Sequence, residues 1–226
     1  MDRTIQEALD GGVSRSVFPG AVAEVWRDGR RLSWAAAGRT RSDGHEEREV
    51  SRGTVFDIAS LTKVFVATLA WRLIARSAID LDEPVKALLP GLASDAVRVK
   101  DLLRHTSGLP AWRPFFETEP HERASIASAA AREPLERPPG DEAVYSDLGF
   151  ILLADLLERW SGNGLADLVR DEVTGPLDLE VTRYLPVEDR PVTRLLGRPV
   201  AATERCPWRG RVLCGEVHDD NCWAMG

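Results

Sequence analysis

The sequence predicts a mixed α/β protein. One β-hairpin near the N-terminus and a series of helical segments between residues 60 and 173 carry that reading. The chain has 226 residues, 43% hydrophobic and 29% charged, enough for one large domain with a sizeable core.

The hairpin is "AVAEVWRDGRRLSWAAAG", Ala21 to Gly38. Its two apolar runs flank Asp28-Gly29, a favoured two-residue turn. A polar loop follows from Arg39 to Arg52. A long helix then runs from near Ser60 to near Arg76. "DLDEPVKALLPGL" reads as turn and short helix, and "VRVKDLLRHTSGLP" as a short helix stopped by Gly108 and Pro110. "HERASIASAAARE" is another helix. "RPPGDEA" is a stiff loop leading into Tyr145. Asp147 to Trp160 is a strongly amphipathic helix, Leu165 to Val173 a further one, and from Thr174 the chain reads as irregular. Two strands alone do not make a stable sheet, so the hairpin needs covering helices or partner strands.

The net charge of −7 argues against a nucleic-acid partner. No apolar run is long enough for a membrane span. The start "MDRTIQEALDGG" lacks the basic and apolar regions of a secretory signal, so the chain as written is expected in the cytoplasm. Removal of a leader would place it in the periplasm or outside the cell. Cys206, Cys214 and Cys222, with His218 between the last two, match no common zinc spacing and read as small buried thiols.

Two stretches carry chemistry. In "TVFDIASLTKVF", Ser60 and Lys63 stand three residues apart. With 13 serines and three lysines, chance supplies about 0.2 such pairs, so the spacing alone is weak. On a helical wheel Thr62, Thr68, Arg72 and Arg76 mark the wet side. Lys63 falls opposite Arg72 with Ala67, Ala70 and Ile74. Ser60 is either an N-cap beside a snorkelling lysine, or a nucleophile whose lysine lies on the same face. In "PPGDEAVYSDLGFILLADLLERW", Ser146 or Asp147 can cap the following helix with Tyr145 in the core. Alternatively, Tyr145 can move a proton beside a cationic amine that Asp147 holds. His105 reads as structural, and His45, His121 and His218 carry no signal.

Together these stretches resemble the serine β-lactamase and penicillin-binding-protein superfamily in its class C-like branch. The matches are "FDIASLTKVF", "LLRHTSGLP" and "PPGDEAVYSDLGFILLADLLE", and the resemblance spans roughly residues 15 to 226. It implies a two-lobe α/β (α+β) fold of the β-lactamase/transpeptidase type in one domain. An incomplete antiparallel sheet lobe would cover residues 1–75 and about 176–226, and a helical lobe about 76–175. It implies Ser60 as the acylated nucleophile, Lys63 as its proton acceptor or organiser, and Tyr145 as the proton shuttle. Asp147 stands where the family usually has Asn; a carboxylate cannot donate a hydrogen bond, and it would favour a charged Lys63, making Tyr145 the likelier base.

The family's third motif, Lys-Thr-Gly or His-x-Gly, has no match: no lysine follows Asp147, and His218 precedes Asp219-Asp220. The chain is therefore expected to be a C-terminally incomplete domain with impaired activity. The implied function is a serine hydrolase acting through an acyl-enzyme, without metal or organic cofactor. Small esters and D-alanyl peptides or amides are favoured over β-lactams as substrates. The alternative is a non-catalytic module that binds peptidoglycan peptides or a protein.

Overall fold

In the computed structural model, residues 3–76, 79–185 and 194–226 are described. They divide into two units, one of residues 1–57 and 187–218, the other of residues 58–186 and 219–226.

The first unit begins with helix α1 (Arg3–Ser14), which the sequence reading passed over. Its signal was an i, i+4 series: Ile5, Leu9 and Val13 turn inward while Arg3, Glu7 and Asp10 face water. Strands β1 (Gly20–Arg27) and β2 (Arg30–Gly38) form the expected antiparallel hairpin. Asp28 and Gly29 both have positive φ, as a type I′ turn requires. α1 packs against β2, and Gln6 Nε2 donates to the Ala36 carbonyl at 3.0 Å. Ala35 and Ala37 are buried, so a helix covers the hairpin that the sequence left bare.

The tail is less irregular than expected. β3 (Arg194–Leu195) and β4 (Arg198–Pro199) form a minimal pair, and β5 (Ala202–Cys206) with β6 (Arg211–Cys214) form a second hairpin. Its turn, "PWRG", was legible only through Gly210, which has positive φ. Residues 186–193, part of the stretch read as irregular, lie outside the described residues. Val55 pairs with Val200 in parallel through two backbone hydrogen bonds. Buried Glu216 receives Arg209 and Arg211, and Arg209 also donates to the carbonyls of Val217 and His218. Cys206 and Cys214 are buried thiols, whereas Cys222 is exposed. Among the described residues the sheets are three separate antiparallel pairs, and no group of His, Cys, Asp or Glu could hold a metal.

The second unit is helical. It holds α2 (Thr62–Ala75), α3 (Val85–Leu88), α4 (Val99–Leu103), α5 (Phe115–Thr118), α6 (Arg123–Arg132), α7 (Asp147–Ser161), α8 (Leu165–Val169) and α9 (Asp220–Met225). Among the described residues, no helix is long and apolar enough to cross a membrane. The resemblance implies a sheet lobe that includes residues 1–75, and so α2. Contacts instead place α2 among the helices, because Val66, Leu69, Ala70 and Leu73 bury against them. α7 is the centre: Leu148, Leu152, Leu153, Leu156 and Leu157 are fully buried, and each such side chain contributes about 1.5–3 kcal/mol. Small residues on α6, Ala127 and Ala130, bury fully enough to let it pack on α7. α8 runs on as a π turn, Arg170–Thr174, within the helix expected to reach Val173.

α4 ends earlier than expected. His105, with φ of 58°, takes the left-handed conformation that stops it, so Gly108 is not the terminator. Gly108 serves a different purpose. Its φ is 78°, and a Cβ there would lie 2.1 Å from the Arg137 carbonyl oxygen. Only glycine lets residues 105–108 run this close to residues 136–144. Gly108→Ala should therefore cost at least about 2 kcal/mol of stability, read as a lower denaturant midpoint. A midpoint within error of wild type would mean the approach is not tight.

Candidate active site

Ser60, Lys63, Tyr145 and Asp147 all lie in the helical unit. Ser60 sits in a 3₁₀ turn, Ala59–Leu61, that leads into α2. Three residues per turn place positions i and i+3 directly above one another. Lys63 Nζ accordingly donates to Ser60 Oγ at 3.0 Å. Ser60 is exposed and makes no capping bond, and the Lys63 side chain is only 18% exposed. The reading of an N-cap beside a snorkelling lysine therefore gives way to a direct contact.

Ala59, just before the serine, has φ of 44°. An alanine pays a steric cost in this region, and the exposed Ser60 follows it directly.

Tyr145 and Asp147 are set by a ladder between two loop segments. The Val144 N–H donates to the His105 carbonyl at 2.8 Å, Gly140 to Thr106 at 2.7 Å, and Glu136 to Gly108 at 2.8 Å. Ser146 is the buried N-cap of α7. Its Oγ accepts from the Gly149 N–H and donates to the Pro110 carbonyl at 2.7 Å. The Asp147 N–H donates to the Ala111 carbonyl at 2.8 Å. Ser146 thus takes the capping role, and Tyr145 is 54% exposed rather than core.

The ladder delivers Asp147 Oδ1 to within 2.8 Å of Lys63 Nζ. The ammonium lies 5.0 Å from the Tyr145 ring centre and 5.9 Å from that of Phe150. Both distances suit a cation on aromatic faces. Burial opposes the charge on Lys63, but the Asp147 carboxylate and the Tyr145 phenol outweigh it and hold the lysine above its ordinary pKa. The amine that touches Ser60 Oγ is thus held toward its charged form.

His105 belongs to this site, which the sequence reading did not recognise. Its ring stands 4.6 Å from Tyr145 and 4.9 Å from Phe150. Burial, and then the Lys63 cation, lower its pKa below the usual histidine value. The "RHTSG" stretch, ending in a glycine of special conformation, was the available signal.

Two outcomes test this geometry. Ala59→Gly should raise stability by about 0.5–1 kcal/mol, since relieved strain exceeds the glycine entropy cost; a loss of stability would show no strain there. Lys63, one of three lysines, should titrate above 10.5 by NMR. Its contribution to stability is then intact below the unfolded value and lost as pH rises through the folded one. Asp147→Asn should lower the Lys63 titration, because burial then has only Tyr145 as its counterweight. An unmoved titration would show that the carboxylate is not what holds the charge.

The β-lactamase family profile matches residues 1–211. An N-acetylmuramyl-L-alanine amidase of Bacillus subtilis (strain 168) is 32% identical over 255 aligned positions, covering 99% of this chain and 56% of the relative. A D-alanyl-D-alanine-carboxypeptidase/endopeptidase, AmpH, of Escherichia coli (strain K12) is 30% identical, covering 75% and 46%. The solved structure of a D-amino acid amidase from Ochrobactrum anthropi SV3 superposes with a TM-score of 0.68 at 27% identity, covering 81% of this chain and 51% of that one. The chain spans about half the length of the relatives it matches. Motifs, fold and family profile agree: the chain belongs to the β-lactamase family.

Proposed function

We propose that this site is that of a serine hydrolase acting through an acyl-enzyme on small esters or on D-alanyl peptides and amides. The observation that carries the reading is the 3.0 Å contact of Lys63 Nζ with Ser60 Oγ, with Tyr145 and Asp147 on the same ammonium. The names of the relatives, an amidase, a carboxypeptidase and a D-amino acid amidase, support the amide and peptide side of it.

The ammonium fixes the order of events. Tyr145, acting as the base, takes the proton of Ser60 as Oγ bonds to the substrate carbonyl carbon. Lys63 stays charged and compensates the negative charge that moves between the two oxygens. The carbonyl electrons pass to the oxyanion, which the Ser60 backbone N–H faces from the first turn of the helix. Collapse of the tetrahedral species breaks the bond to the leaving amine or alcohol, and Tyr145 returns the proton to it. Water then repeats the sequence on the acyl-Ser60 ester. Asp147 takes no proton; it keeps the ammonium in place.

Intact-mass labelling of the purified chain with a fluorophosphonate and a penicillin tests this. An adduct absent in Ser60→Ala is expected. Tyr145→Phe should slow its formation by about 10²- to 10⁴-fold. A folded chain that forms no Ser60-dependent adduct would overturn the reading. Hydrolysis of β-lactams faster than D-alanyl esters by orders of magnitude would overturn the substrate class.

A further inference from the structure

We propose that His105 is a positioning residue for Tyr145, and that it acts only as the neutral imidazole. This rests on the proposed role of Tyr145, and goes beyond it by naming the group that holds the phenol in place.

The residues on either side of Tyr145 are both fastened to His105. The Val144 N–H donates to its carbonyl oxygen at 2.8 Å, and the Ser146 N–H donates to its ring Nδ1 at 3.0 Å. An N–H donor at Nδ1 requires a lone pair there, so the ring proton is on Nε2. The ring itself lies between Tyr145 and Phe150, tilted 33° to the first and 30° to the second. One side chain thus fixes the backbone of the corner and packs on the phenol it presents. The left-handed φ of 58° turns both the carbonyl and the ring toward residues 144–146.

Protonation would undo this. It places a hydrogen on Nδ1 facing the Ser146 N–H, and it sets a second cation beside Lys63. The charged and titratable groups facing the ring are Lys63 from α2, Tyr145 from the loop and Asp147 from α7. Burial comes first and Lys63 second in disfavouring the imidazolium, and Asp147 favours it less strongly. The neutral ring therefore prevails at neutral pH. The expected switch lies below 6.5, where the unfolded chain takes up a proton that folded His105 refuses. Stability from this group is present above 6.5 and is lost as pH falls through its folded pKa.

Asparagine is the informative substitution. Its Oδ1 reaches the place of Nδ1, it accepts the same N–H, it tolerates positive φ, and it does not titrate. With the four histidines labelled with ¹⁵N, His105 should appear as the Nε2–H tautomer and protonate below 6.5. The ring resonances of Tyr145, one of two tyrosines, should move with the same midpoint, and this step should vanish in His105→Asn. An Nδ1–H tautomer, or protonation that leaves Tyr145 unmoved, would overturn the proposal. In Ser60 labelling, His105→Ala should be about 10- to 100-fold slower. His105→Asn should recover most of that loss and lack the acid step of the wild-type pH profile. Equal losses in the two variants would count against positioning. If Ser60 labels at no pH, the hydrolase reading fails while the NMR outcomes still decide the role of His105.

Discussion

The ladder between residues 105–111 and 136–147 is the constraint on which the site depends. Ser60 and Lys63 meet by local geometry alone. Tyr145 and Asp147 come from 82 or more residues further along the chain, and this ladder, with the packing of α7 on α2, aligns them with the pair. Its rungs are mostly backbone hydrogen bonds, each worth little net in folding but costly to leave unmade once buried. Two side chains close it: Ser146, whose Oγ makes two bonds, and His105, whose ring accepts one. The close pass at Gly108 admits no side chain, so the register of the whole corner is set by one missing Cβ.

The electrostatics follow from that placement. A half-buried amine would by itself lean toward neutrality. Asp147 and Tyr145 reverse this, and the ammonium in turn keeps His105 neutral. Three titratable side chains within one small site thus hold one another in complementary states: a cation, an anion, and an uncharged acceptor. Asp in the position usually held by Asn changes what the site can offer a substrate. In the proposed reaction it leaves Lys63 a fixed charge and the proton work to Tyr145.

Much of this was legible in the sequence for physical reasons. The Asp28-Gly29 turn, the apolar periodicity of residues 147–160 and the position of Lys63 on an apolar stripe each reflect a local rule that tertiary structure respected. The Asp147–Lys63 pairing was readable from charge and order alone. What was missed depended on packing between distant segments. α1 is amphipathic but opens with polar residues, and its role is clear only once the bare hairpin face needs a cover. The β5–β6 hairpin lacks a two-residue turn signal. The buried Asn221, which accepts from Phe116 N–H and donates to the Arg113 carbonyl, joins α9 to the loop before α5 in a way no local pattern announces. His105 read only as structural, ahead of a helix end assigned to Gly108; that His105 itself ends α4, and that its ring accepts a hydrogen bond from residue 146, are facts of the folded chain.

The 3₁₀ turn at Ala59–Leu61 gives the site one local half. Because Ser60 and Lys63 stand one helical turn apart, their contact is carried by about five consecutive residues. It needs no partner to assemble. The other half hangs on a single relation, the pitch of α7's leading corner against α2. Loops elsewhere in the helical unit can lengthen, shorten or change composition without touching either half. A change confined to the rim would leave the Ser60–Lys63 contact itself untouched.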